Sequence, residues 1–95
     1  MHHVKLPSME HAAAVALRAV GFLARDEDRL KHFFSMTGMD LAALRDGAGE
    51  APVQVAVLDY LLADESLLLI FTSEEGLPPD EPRLARIRLS GEDVA

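Results

Sequence analysis

Ninety-five residues carry 16 acidic against 9 basic side chains, a net charge of −7, and neither cysteine nor tryptophan. Without cysteine, disulfides, thiolate zinc sites and thiol chemistry are excluded, and the negative field works against nucleic acid and anionic membranes. With 49% hydrophobic and 26% charged residues, the chain is expected to fold as a single domain, residues 1–95, around one modest core.

The N-terminal "MHHVKLPSME" has no apolar stretch of signal-peptide length, and His2 and His3 are given no functional weight. No apolar run approaches the roughly 20 residues of a membrane span. A cytoplasmic location, with no membrane contact, is the expectation.

Pro7 and Ser8 announce the first helix, with Ser8 as N-cap. Val15, Ala19, Phe22 and Leu23 recur on one face at helical spacing. Asp26 starts a second helix, Leu30, Phe33 and Phe34 supply its apolar face, and Gly38 suits its left-handed end. Asp40 can cap a short helix, "LAALRDG", in which Leu41 and Leu44 face the core and Gly47 ends the turn. The loop-like "RDGAGEAP" at 45–52 follows. Pro52 fits the first turn of a further helix, lined by Val53, Val57, Tyr60 and Leu61. Asp64 caps the next, Leu68 and Phe71 point inward, and Gly76 stops it. Pro78 and Pro79 stiffen the link to a last helix, which Asp80 can cap, which carries Leu84, Ile87 and Leu89, and which Gly91 ends.

A shift of 38 residues superposes "VALRAVGFLARDEDRLKHFFSMTGMDLAALR" (15–45) on "VQVAVLDYLLADESLLLIFTSEEGLPPDEPR" (53–83) without a gap. Identical pairs include Val15/Val53, Leu23/Leu61, Asp26/Asp64, Glu27/Glu65, Leu30/Leu68, Phe33/Phe71, Gly38/Gly76 and Arg45/Arg83. Ordinary composition would give roughly two. The unit reads as helix, Asp-Glu break, helix, glycine stop. The second copy, with alternating Val53, Val55 and Val57, also fits a β-hairpin. The Ala, Leu and Arg of the first copy favour helix for both. The fold class expected is all-α: a compact bundle of five or six short helices, two pseudo-repeated hairpins with capping helices.

Adjacent acids such as Asp64-Glu65 diverge by about 100° on a helix, so they read as N-caps and first-turn acids. His11 and His32 form no i, i+4 pair, and the serines lack a nucleophile elbow. No catalytic, cofactor or metal residue is assigned, and a small metal-dependent hydrolase ranks last. "FFSMTGMDLAALR" outlines a helix-turn-helix, but its second helix offers one base, Arg45. Arg83, Arg86 and Arg88 form a C-terminal basic cluster, the residues on which an alternative nucleic-acid reading rests. The copies differ most where Arg29, Lys31 and His32 become Leu67, Leu69 and Ile70. A helix apolar nearly all round belongs in the core or under a partner. The core is the preferred reading, since large apolar patches on monomers are uncommon; a homodimer face or an acceptor groove is the alternative.

"FLARDEDRLKHFFSMTGMDLAALR" followed by "VAVLDYLLADESLLLIFTSEEGLPP" resembles the alphaproteobacterial family called domain of unknown function 3572, over roughly residues 12–90. The resemblance implies a small helical cytoplasmic protein and contributes no catalytic residue. The leading expectation is a non-enzymatic interaction module without a cofactor. Its partner is another protein or a second copy, and its surface is drawn from Leu67, Leu69, Ile70, Met36 and Met39.

Overall fold

A computed structural model describes residues 5–91. His2 and His3 lie outside the described residues. Within them run six helices and no strand: α1 (Met9–Ala24), α2 (Glu27–Thr37), α3 (Leu41–Gly47), α4 (Ala51–Leu62), α5 (Glu65–Glu75) and α6 (Glu81–Ser90). The all-α expectation holds, and the β-hairpin reading of the second copy is excluded.

The starts and stops follow from local chemistry. Ser8 accepts the His11 amide, Asp26 those of Asp28 and Arg29, Asp40 that of Ala43, and Asp64 that of Leu67. Each satisfies amides that the first helical turn leaves without partners. Gly38 and Gly76 take φ 77° and 67°, the left-handed conformation in which a side chain would be strained. The turns between the paired helices match bond for bond. Arg25 N–H donates to Gly21, Asp26 to Leu23 and Leu30 to Asp26; 38 residues on, Ala63 donates to Asp59, Asp64 to Leu61 and Leu68 to Asp64.

The centre of the bundle is α1, α4 and α6. The α1 helix buries Ala12, Val15, Ala16, Ala19, Phe22 and Leu23, and α4 buries Gln54, Val57, Leu58 and Leu61. The α6 helix packs against both with Pro82, Ala85 and Leu89. The small side chains of α1 and Ala85 let these backbones approach closely. Phe33 from α2 and Phe71 from α5 plug the core from outside, both fully buried. Each such side chain contributes about 1.5–3 kcal/mol by leaving water. Phe71 meets Phe22 edge to face at 5.3 Å, and Phe33 meets Tyr60 likewise at 5.2 Å.

Several expectations are corrected here. The apolar helix α5 is not central. It buries only Phe71 and Thr72, because α6 fills the place beside α1 and α4. For the same reason α6 is a core helix rather than a cap. Leu41 faces water, 58% exposed, and only Leu44 of that pair is buried. Leu41 is the first residue of its helix, a turn short of α4. Gly47 ends α3 as expected, though without the left-handed conformation of Gly38 and Gly76, and a Cβ there would collide with the Val53 side chain. Asp80 holds the N-cap position of α6, but its side chain accepts no amide there.

Candidate functional site

The exposed face of α5 is the feature that packing leaves unexplained. At about 100° per residue, Leu68, Phe71, Thr72 and Glu75 turn towards the bundle. Ser66, Leu69, Ile70 and Ser73 share the opposite face. Leu69 is 48% and Ile70 43% exposed. The first copy explains why this is unusual. Residue by residue, α2 and α5 have nearly the same burial pattern: Phe33 and Phe71 buried, Leu30 and Leu68 half-buried, Arg29 and Leu67 half-buried. Lys31 and His32 are exposed, and so are Leu69 and Ile70 at the equivalent positions. Exposure is therefore set by the architecture, and only one copy fills those positions with apolar side chains.

The α2 and α5 helices run antiparallel. At one end Arg29 Nη2 lies 3.9 Å from Glu74, Arg25 Nη2 lies 3.7 Å from Glu74 and 3.0 Å from Glu75, and Arg18 Nε lies 3.8 Å from Glu75. The Arg29 guanidinium also covers the Phe22 ring at 4.1 Å. Ion pairs this open contribute about 0–1 kcal/mol each, but they fix the register of the end they clamp. At the other end lies a hollow lined by His32, Met36, Tyr60, Ala63, Asp64, Glu65 and Ser66. Met36, 67% exposed, stands across it from the first turn of α5. Leu69 and Ile70 lie one turn beyond Glu65 and Ser66, so the hollow and the apolar face are continuous. Within it His32 Nδ1 hydrogen-bonds the Tyr60 hydroxyl. Burial, and then the nearby Asp64 carboxylate, hold the Tyr60 phenol above its ordinary value.

The structure thus divides the candidate surface. Met36, Leu69 and Ile70 are exposed, whereas Leu67 and Met39 are half-buried against the core. It also disperses the basic cluster. Arg86 and Arg88 point about 200° apart on α6. Arg86 Nε donates to Asp59 at 2.7 Å and Arg88 Nε to the Pro7 carbonyl at 2.7 Å, while Arg83 is exposed. The three do not form one phosphate-facing surface. Two side-chain pairs have no sequence signal, because their members are far apart in the chain: His32 with Tyr60, and His11 with Glu81. The second ties α1 to α6 beside a cleft that includes Leu6, Pro7, Pro78 and Leu84. Among the described residues no group of three His, Asp or Glu side chains could hold a metal, and no helix is long and apolar enough to cross a membrane.

The family described as "Protein of unknown function (DUF3572)" matches residues 9–92. No curated protein and no solved structure matches the chain.

Proposed function

Because the chain belongs to the DUF3572 family, for which no function is described, we propose a function from its surface: a non-enzymatic protein-interaction module that docks its partner on α5. One observation carries this reading. Positions that hold exposed Lys31 and His32 in the first copy hold Leu69 and Ile70, also exposed, in the second. The part of each apolar side chain left in water contributes nothing in the isolated chain, and burial under a partner gives it a role. Met36 extends the same surface, and a flexible thioether adapts to varied apolar contacts. The nucleic-acid alternative is not favoured, since its arginines point apart and two are engaged within the chain.

A photo-crosslinking residue placed at position 70, and separately at position 41, tests the reading in the native host. Position 41 is equally apolar and exposed but lies on α3. Discrete protein adducts from position 70 and none from 41 are expected. Equal labelling from both positions, or none from 70, would overturn it.

A further inference from the structure

We propose that the cleft between the N-terminal segment and the start of α6 binds a small aliphatic zwitterion, a free amino acid of the leucine type. This site goes beyond the α5 surface and is separate from it, since no residue of α5 lines the cleft. Its volume is about 360 Å³, at the small end of the range for ligand sites. Leu6 and Pro7 come to it from the segment before α1, Pro78 from the link after α5, and Leu84 from α6. The fold holds these residues in place by itself. Arg88 Nε donates to the Pro7 carbonyl at 2.7 Å, Ser8 Oγ accepts the His11 amide at 3.0 Å, and the Glu81 amide donates to the Pro78 carbonyl at 3.1 Å. The His11 ring ties α1 to Glu81 on α6. A site held ready in this way loses little freedom on binding.

The charges select the ligand. His11 and Glu81 are paired with each other. Asp80 and Lys5 line the same cleft, yet neither enters an ion pair among the described residues. Asp80 holds the N-cap position but caps no amide, so the helix start does not account for its carboxylate. A ligand with no charge would take water from both groups and return nothing. A lone anion would meet the carboxylates of Asp80 and Glu81. A lone cation would leave Lys5 unanswered. A zwitterion supplies an ammonium for Asp80 and a carboxylate for Lys5, whose flexible stem lets its own ammonium follow. The aliphatic side chain then covers Leu6, Pro7, Pro78 and Leu84. In a longer peptide the two terminal charges lie far apart, so the free amino acid fits where a chain does not. Asp80 and Lys5 are open to water, so each pair contributes little, and the dissociation constant should be about 1 mM.

Titration of the full chain with L-leucine to about 10 mM, followed through backbone amide NMR shifts, is the test. Saturable shifts are expected at Leu6, His11, Asp80, Glu81 and Leu84, and none at Leu69 and Ile70. Leucinamide lacks the carboxylate and isocaproate lacks the ammonium, and each should bind at least about threefold more weakly. Glycine keeps both charges without the aliphatic side chain and should show no saturation. Asp80→Asn and Lys5→Gln, both at exposed positions that leave the fold intact, should each weaken leucine binding about threefold. Leu69→Lys, on α5, should leave it unchanged. Absence of any saturable shift overturns the proposal. So does leucinamide or isocaproate binding as tightly as leucine, or leucine binding that Asp80→Asn and Lys5→Gln together leave unaltered. Adducts from position 70 test the α5 reading on their own, so each idea can fail without the other.

Discussion

The hairpins α1–α2 and α4–α5 share a backbone and differ in what they cover. Their turns are hydrogen-bonded alike, their second helices begin at Asp26 and Asp64, both at φ −130°, and they end at left-handed glycines. Phe33 and Phe71 enter the core from equivalent places. The correspondence runs on into the third helices, where Leu44 and Gly47 of α3 match Pro82 and Ala85 of α6 in register and burial. The larger roles still diverge. The α6 helix is a full partner of α1 and α4, whereas α3 packs on α4 at the side. The lesson is that a repeated sequence can repeat local geometry and exposure without repeating position in the bundle. The surface of the second copy was then free to become apolar.

That equivalence can be broken most severely at its two phenylalanines. Phe33→Ala and Phe71→Ala should each cost about 3–5 kcal/mol, read by urea denaturation. A much smaller loss at Phe71 would show that the second copy anchors less. Next comes Gly47→Ala, which installs the residue the second copy has at Ala85. It should cost about 1–3 kcal/mol, because Val53 crowds the position; an unchanged denaturation midpoint would contradict that close approach. The caps follow. Asp26→Ala and Asp64→Ala should each lose about 1 kcal/mol in the same assay, with Asp26 the costlier, since it holds two amides to the single one held by Asp64. Leu69→Lys, which gives α5 the residue of Lys31, should shift monomer stability by less than about 0.5 kcal/mol, measured under dissociating conditions. A large loss would mean that Leu69 packs within its own chain.

The smallest effect lies at Tyr60, the counterpart of Phe22. Its folded value is raised above 10.0 by burial and then by Asp64. Below that pH the phenol is protonated in both states, and its contribution to stability is intact. As pH rises past 10.0 the unfolded chain ionises first, so stability falls towards the folded value. The absorbance of the only tyrosine in the chain reports the titration directly. Tyr60→Phe should remove that part of the alkaline slope and leave neutral stability nearly unchanged.

Much of this was legible in the sequence. Ser8, Asp26, Asp40 and Asp64 mark helix starts, and Gly38, Gly76 and Gly91 mark ends, because those signals act within one or two turns. The apolar stripe of α1 was visible in the same way, through its period. What a residue meets across the bundle was not visible. Leu41 and Leu44 share a short pattern, yet only Leu44 reaches the core. Gly47 ends its helix as the pattern indicates, yet only the fold shows that Val53 leaves no room there for a Cβ. The arginines of α6 form a cluster in the sequence, but the helix turns Arg86 and Arg88 to different sides.

By itself the sequence determined an all-helical chain of five or six helices, most of their caps and a duplicated hairpin, because helix boundaries are satisfied by hydrogen bonds made nearby. Only the tertiary structure decided which helices are central. An apolar helix is compatible with both a core and an interface, and the choice depends on competition for the same space. The α6 helix, with small Ala85 against the alanines of α1, fills the central place. Leu69 and Ile70 are therefore left facing outward.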